Sequence, residues 1–379
     1  MPLVSVVMPV YNAEHWLPRS LDGVLSQTVR DLELIAVDDA STDGSLAVLE
    51  RRADRDPRIK VLHHDTNLFA GAARNDGLAV ARGEYVLFLD ADDEFEPTLI
   101  EKAVAEAGRS GADVVLVGAD DLVGKAEVRT PNLCYLDAGR LPGQLPFAPT
   151  DAAACLFQLC TPEPWTKLFK RSFVESEGLH FQGMQNANDL FFTLAALSRA
   201  RLVSAVPEIL VHHRVGVVGG VQATKVREPL AFLEALRALK ADLEWRGVFT
   251  TYEGSFVNLV VFHCIYNATA PAGWPALFAE LDVAGHPRED FYSTADYGRY
   301  IDLVVDTWDG SVDSTLYGDT FWHDAALRGA ERAREMQGRV DWANEELERV
   351  KGSLPLRVGL AFTWLPRRMR GWFGKTKQR

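Results

Sequence analysis

Five short apolar runs, separated by amphipathic stretches, fill the first 120 residues, and this alternation constrains the fold more than any other feature. The runs at 3–8, 32–37, 58–62, 84–89 and 113–117 are rich in Val, Leu, Ile and Phe and are too short for helices. Between them, residues 13–28 place Trp16, Leu17, Leu21, Val24 and Leu25 at helical spacing. Residues 43–55, 71–82 and 97–110 also read as helices, with Gly83 as a stop and Pro97 as an opening residue. Strands alternating with helices predict a mostly parallel sheet covered on both faces. Ligands of such sheets bind beyond the carboxyl ends of the strands. Three runs end in polar clusters that would share that rim: Tyr11-Asn12, Asp38-Asp39, and Asp90-Ala91-Asp92-Asp93.

The last cluster carries the clearest chemistry. Adjacent carboxylates repel one another unless a cation or hydrogen-bond donors offset the charge. Hard oxygen ligands suit Mg²⁺ or Mn²⁺, which bind through one or two carboxylates plus substrate phosphates. A solvated acidic loop is the plain alternative.

Four motifs occur in order: Val4-Ser5-Val6-Val7-Met8-Pro9-Val10-Tyr11-Asn12, Val37-Asp38-Asp39-Ala40-Ser41-Thr42-Asp43-Gly44-Ser45, Ala73-Arg74-Asn75-Asp76-Gly77, and Gly83-Glu84-Tyr85 through Asp93. Together they resemble the family-2 glycosyltransferases of the GT-A fold over residues 3–215. The resemblance implies an α/β nucleotide-diphospho-sugar transferase fold with a Rossmann-like, mostly parallel sheet, followed by a mainly helical C-terminal region. It also implies donor contacts. Pro9 and Tyr11 would lie at the nucleobase, with Tyr11 packing on it and Asp39 accepting a hydrogen bond from it. Arg74 would line the nucleotide pocket. Asp90 and Ala91 would lie at the donor, Asp90 on the ribose. Asp92 would hold Mn²⁺ or Mg²⁺ on the diphosphate, with Asp93 assisting. Relatives commonly have Gly where Phe69 stands. Phe cannot copy a glycine that needs positive φ, so the loop before Arg74 is expected to take another shape or to rely on Gly71.

Later landmarks also follow the family: Pro164-Trp165-Thr166-Lys167-Leu168, then Asn188-Asp189, then Val211-His212-His213-Arg214. The usual Glu of the middle pair is Asn188 here. An inverting transfer needs one carboxylate to take the acceptor proton. The resemblance assigns that role to Asp189, and a helix N-cap is the other reading of this residue. Trp165 reads as packing on a sugar or as core. His212, His213 and Arg214 read as ligands of diphosphate or metal, or as ordinary strand residues. His63-His64 reads as a strand end.

Beyond the strands, 122–149 reads as loops with short strands, 151–160 and 189–198 as helices, 201–214 as one or two strands around Pro207, and 228–245 as a helix. Residues 250–320 are aromatic-rich and give no clear pattern. The expected domains are 1–218, a transferase domain; 219–323, a helical acceptor-side region; 324–352, a long helix; and 353–379, a basic amphipathic tail. In the long helix Met336, Val340, Ala343, Leu347 and Val350 form a short heptad run, suited to packing on the body or to a homo-oligomer.

The net charge is −13, which argues against nucleic acid as a partner. It divides into −22 over residues 1–348 and +9 over the last 31. In the tail Leu354, Val358, Phe362, Leu365, Met369 and Trp372 recur every three or four residues among seven basic side chains. That pattern suits an interfacial helix on an anionic membrane surface, or docking on the acidic body. Four sparse cysteines fit reduced thiols, and the N-terminal apolar run is too short for a signal peptide. The expected location is therefore cytoplasmic, peripheral on the inner face of the plasma membrane. A UDP-sugar donor, a cell-surface polysaccharide or lipid-linked glycan acceptor, and release after one or a few sugars complete the reading. The rivals are a nucleotidyltransferase, which would want a Gly-rich loop after the first strand, and a non-catalytic nucleotide-sugar-binding relative.

Overall fold

The computed structural model describes residues 1–123, 127–132, 135–215 and 231–267. The domain limits expected at 218/219, 323/324 and 352/353, the long helix 324–352 and the tail 353–379 lie outside the described residues.

The expected alternation is present: β1 (Val4–Val10), α1 (Leu17–Leu25), β2 (Leu32–Asp38), α2 (Ser45–Ala53), β3 (Ile59–His63), α3 (Phe69–Val80) and β4 (Tyr85–Phe88). Strands β1, β2, β3 and β4 are parallel, so their carboxyl ends share one rim. Strand β1 buries both faces, which is why its sequence is nearly continuous Val and Met rather than alternating. Helix α3 can lie close on β1 because Gly77 has no side chain. A Cβ there would sit 2.4 Å from Val7 Cγ1.

The second half adds β5 (Glu94–Phe95), α4 (Leu99–Ser110), β6 (Val114–Val123), β7 (Val128–Pro131), β8 (Lys167–Lys170), α5 (Arg171–Ser176), α6 (Leu190–Arg199) and β9 (Val203–Val215). Among the described residues the sheet runs β3-β2-β1-β4-β8-β6-β9-β5, with β7 paired to β6. Strand β8 is antiparallel to both neighbours and is inserted between two parallel sets. Strand β9 passes Pro207 as one strand, at the cost of a register shift against β6 around Gly118. Residues 151–160, expected as a helix, instead form 3₁₀ turns at Pro149–Ala152 and Leu156–Gln158. Helices α7 (Ala231–Trp245) and α8 (Phe249–Asn267) follow. The Asp242–Arg199 ion pair and the bonds from Arg246 to Ser198 join α7 to α6. Between β4, β8 and α6, the rings of Phe88, Phe169, Phe181 and Phe192 pack edge to face or stacked, with centroids 4.0–6.0 Å apart. Among the described residues no helix is long and apolar enough to cross a membrane.

One loop departs from expectation. Phe69 itself takes the left-handed conformation, φ +68°, at the entry to α3. Its N–H donates to Asn67 Oδ1 at 3.2 Å, which helps to hold the strained turn. Gly71 serves another need, since a Cβ there would lie 2.4 Å from the Gln182 carbonyl oxygen. Phe69 is partly exposed and loses little contact on truncation. Phe69→Gly should therefore raise stability by about 1 kcal/mol through relief of strain, less the added chain entropy of glycine. A lowered midpoint in urea would contradict this.

Candidate active site

Two loops form the first wall. Asn12, at φ +50°, accepts from the Thr42 and Asp43 N–H groups through Oδ1, and its own N–H donates to Ser41 Oγ. These bonds hold the loop after β1 against the loop after β2. Tyr11 is left half-exposed on that rim, with Pro9 just inside it. Asp38 and Asp39 are buried at the end of β2. Asp38 meets His63 Nδ1 at 2.9 Å, and Asp39 Oδ1 meets His64 Nδ1 at 2.7 Å. The Leu68 N–H also donates to Asp39 Oδ1, at 2.8 Å.

A second wall centres on Arg74. Its guanidinium is buried and forks, donating to Asp90 Oδ1 at 2.8 Å and to Asn188 Oδ1 at 3.0 Å, while it lies over the Phe181 ring at 5.4 Å. The Arg74 Nε–H is buried without a partner. Asn188, which replaces a carboxylate in the expected pattern, thus gives Arg74 a neutral acceptor. Beside it, Ala187 takes φ +56°. With Asn12, Ala40 and Phe69, left-handed non-glycine residues gather along this one rim, as strain does at functional sites.

Asp189 stands just before α6, but its side chain makes no capping hydrogen bond. Among the described residues its carboxylate has no partner on another residue. Burial pushes it up to about 6; nearby Arg74 works against this, and Glu163 and Asp90 add to it. Asp189 holds the cap position without a side-chain cap bond, and a general base is a chemistry the geometry permits.

The third wall is Asp90–Asp93. Asp92 has no side-chain partner on another described residue, and burial, Asp93 and Asp90 push it up to about 7. Asp93 is fully buried. Its Oδ1 accepts from the Arg214 N–H at 2.9 Å and from His213 Nδ1 at 3.1 Å, and its Oδ2 has no partner. Burial opposes charge on His213, but Asp93, with Asp92 and Asp90 behind it, outweighs that and pushes the imidazole up to about 9. The free carboxylate oxygens of Asp92 and Asp93 fit a hard dication that completes its shell with phosphate oxygens. Among the described residues no three His, Cys, Asp or Glu side chains are already gathered as a cage.

Several expected contacts belong to the scaffold instead. Trp165 is 2 % exposed and stacks on His213 with Tyr135 at its edge, so no sugar can pack on it in this form. His212 is buried between Asp120 and Glu96. Arg214 donates to the Asp92 carbonyl, Glu94 and Glu127, and lies 4.0 Å above Trp16. Ala91 is buried as well. Of the three residues at the end of β9, only His213 borders the carboxylates with a partly exposed side chain. The sequence reading overlooked Phe181 and Glu163, because nothing in their local pattern marks them. Asn188 was visible only as a replaced Glu.

Residues 5–176 match the family model described as glycosyl transferase family 2. Over that stretch, somewhat under half of its length, the chain is similar to that family. The chain is 29 % identical over 293 residues to a Bacillus subtilis (strain 168) protein named "Putative glycosyltransferase EpsH", spanning 75 % of this chain and 82 % of that one. The fold of the chain also matches those of solved structures, among them two. One is S. aureus TarS 1–349 in complex with UDP-GlcNAc, with TM-score 0.58 and 22 % identity, covering 81 % of this chain and 80 % of the other. The second is the mannosyltransferase PcManGT from Pyrobaculum calidifontis in complex with GDP-Man and Mn²⁺, with TM-score 0.51 and 19 % identity, covering 87 % of each.

Proposed function

We propose that this chain is an inverting glycosyltransferase. It would move a sugar from a nucleoside-diphosphate donor, UDP-linked, to a hydroxyl of a cell-surface polysaccharide or lipid-linked glycan precursor. The observation that carries this reading is Asp189, an unpartnered carboxylate within the electrostatic reach of Arg74 and Asp90. Asp189 takes the proton of the acceptor hydroxyl. The oxygen's electron pair forms the new bond to the anomeric carbon, and the old carbon–oxygen bond breaks with its pair going to the diphosphate. Tyr11 offers a ring for the nucleobase and Asp39 a carboxylate for its N–H. Arg74 is the cation for the phosphates, reached by exchange of its Asp90 bond.

Asp92, with Asp93 and Asp90 alongside, would hold Mn²⁺ or Mg²⁺, which supplies neutralisation of charge on the departing diphosphate. On sequence pattern alone, the same reading puts residues 219–323 on the acceptor side, 324–352 in self-association, and 353–379 against an anionic membrane at the inner face of the cell.

The test is release of nucleoside diphosphate from a panel of nucleotide sugars with glycan and glycolipid acceptors, with and without Mn²⁺. Diphosphate release coupled to a glycosylated product is expected. Nucleotidyl transfer with loss of pyrophosphate, or binding without turnover on every pair, would overturn the reading.

A further inference from the structure

His64 does more than end a strand. Its Nδ1 lies 2.7 Å from Asp39 Oδ1, and its Nε2 lies 2.9 Å from Asp76 Oδ2 on α3. Ionised carboxylates only accept hydrogen bonds, and a neutral imidazole has one N–H to give. Both short contacts are satisfied together only by an imidazolium. The His64 side chain is 11 % exposed and that of Asp39 is buried, so water does not readily replace the Asp39 contact, while Asp76 lies on the solvent side. Together with the Leu68 N–H, this ring occupies Asp39 Oδ1 and leaves Oδ2 without a partner among the described residues.

We infer that His64 is a positioning residue for nucleotide recognition: as an imidazolium clamped between Asp39 and Asp76, it turns Asp39 so that Oδ2 faces the donor base. The inference rests on Asp39 being the group that reads the base. The charged groups facing the ring are Asp39 from the end of β2 and Asp76 from α3, with the His63–Asp38 pair beside them. Burial opposes the charge on His64, and the two carboxylates outweigh it and raise its pKa above the usual histidine value. The clamp is therefore complete at low pH. It loses one bond as the pH rises through that raised value, and nucleotide binding weakens in the same direction.

The experiment measures the dissociation constants of UDP and GDP by calorimetry on the full chain at pH 6 and pH 9. The variants are Asp39→Asn, His64→Gln, Asp76→Asn and, as a control, His63→Gln. For whichever nucleotide the wild type binds, affinity should fall several-fold between the two pH values. His64→Gln should weaken binding about tenfold at pH 6 and abolish the pH dependence. Asp76→Asn should shift the pH dependence to lower pH, and it reports on the clamp even if His64→Gln folds poorly. His63→Gln should behave as wild type. If Asp39→Asn weakens binding while His64→Gln and Asp76→Asn leave both affinity and pH profile unchanged, the inference is wrong and the base-reading role of Asp39 stands. If Asp39→Asn itself has no effect, that role fails and the inference fails with it.

Discussion

Replacing Asp189 by Asn should lower sugar transfer by about 10³-fold while leaving nucleotide affinity within about twofold of wild type. The amide keeps the volume of the carboxyl and removes its ability to take a proton. No cap bond is lost, because Asp189 makes none. Stability should therefore change little, which separates a chemical role from a structural one. The pH profile supplies the second reading. With the carboxyl pushed up to about 6, the base is available above that pH. Wild-type kcat/KM should fall about tenfold per unit as the pH drops below about 6, and the residual activity of the Asn variant should lose that limb. An active Asp189→Asn enzyme with an unchanged acid limb would move the base elsewhere.

Asp92→Asn should have the next largest effect, about a hundredfold loss of transfer, and should remove most of the stimulation by Mn²⁺. Its carboxylate is the one in the cluster that makes no bond to another described residue, whereas Asp93 holds His213 and Arg214 and Asp90 holds Arg74. Losing Asp92 therefore disturbs the scaffold least. The non-catalytic readout is direct: titration of Mn²⁺ into the enzyme with UDP present should show affinity lowered at least tenfold. Mn²⁺ binding equal to that of wild type would show that other oxygens hold the ion.

How far the sequence spoke for itself differs between the two halves of the domain. The strands from β1 to β4 were legible because parallel, doubly buried strands write themselves as continuous apolar runs, and because Tyr11, Asp39 and Asp90 stand directly at their ends. Asp189 was legible as a carboxylate at the start of a helix, but its missing side-chain cap bond was not. The end of β9 misled. A histidine pair and an arginine after a strand look like ligand groups, but the partners of Arg214 are Glu94 and Glu127, remote in sequence and near in space. Local pattern carries no record of such pairs. The same holds for Trp165, whose place against His213 depends on β8 threading between β4 and β6. At 151–160 the composition suited a helix, but the chain makes separate single turns where it packs beneath α8. Phe69 shows the opposite error: a rule about φ was sound as energetics and failed as a prohibition.

The bonds that His213 and the Arg214 N–H make to Asp93 have a consequence for the order in which the molecule is made. Asp39 meets His64 across 25 residues of chain, whereas Asp93 meets the Arg214 N–H across 121 and Arg74 meets Asn188 across 114. Contacts between distant residues form late, and chains leave the ribosome from the N-terminus. Tyr11, Asp39 and their supporting loops can settle while the last strand is still unmade. The acidic end can settle only after residue 214 has emerged, by which time Asp189 is already present. On the roles proposed above, the groups assigned to the nucleotide are therefore in place during synthesis before those assigned to sugar transfer, and the second set is complete only when β9 closes.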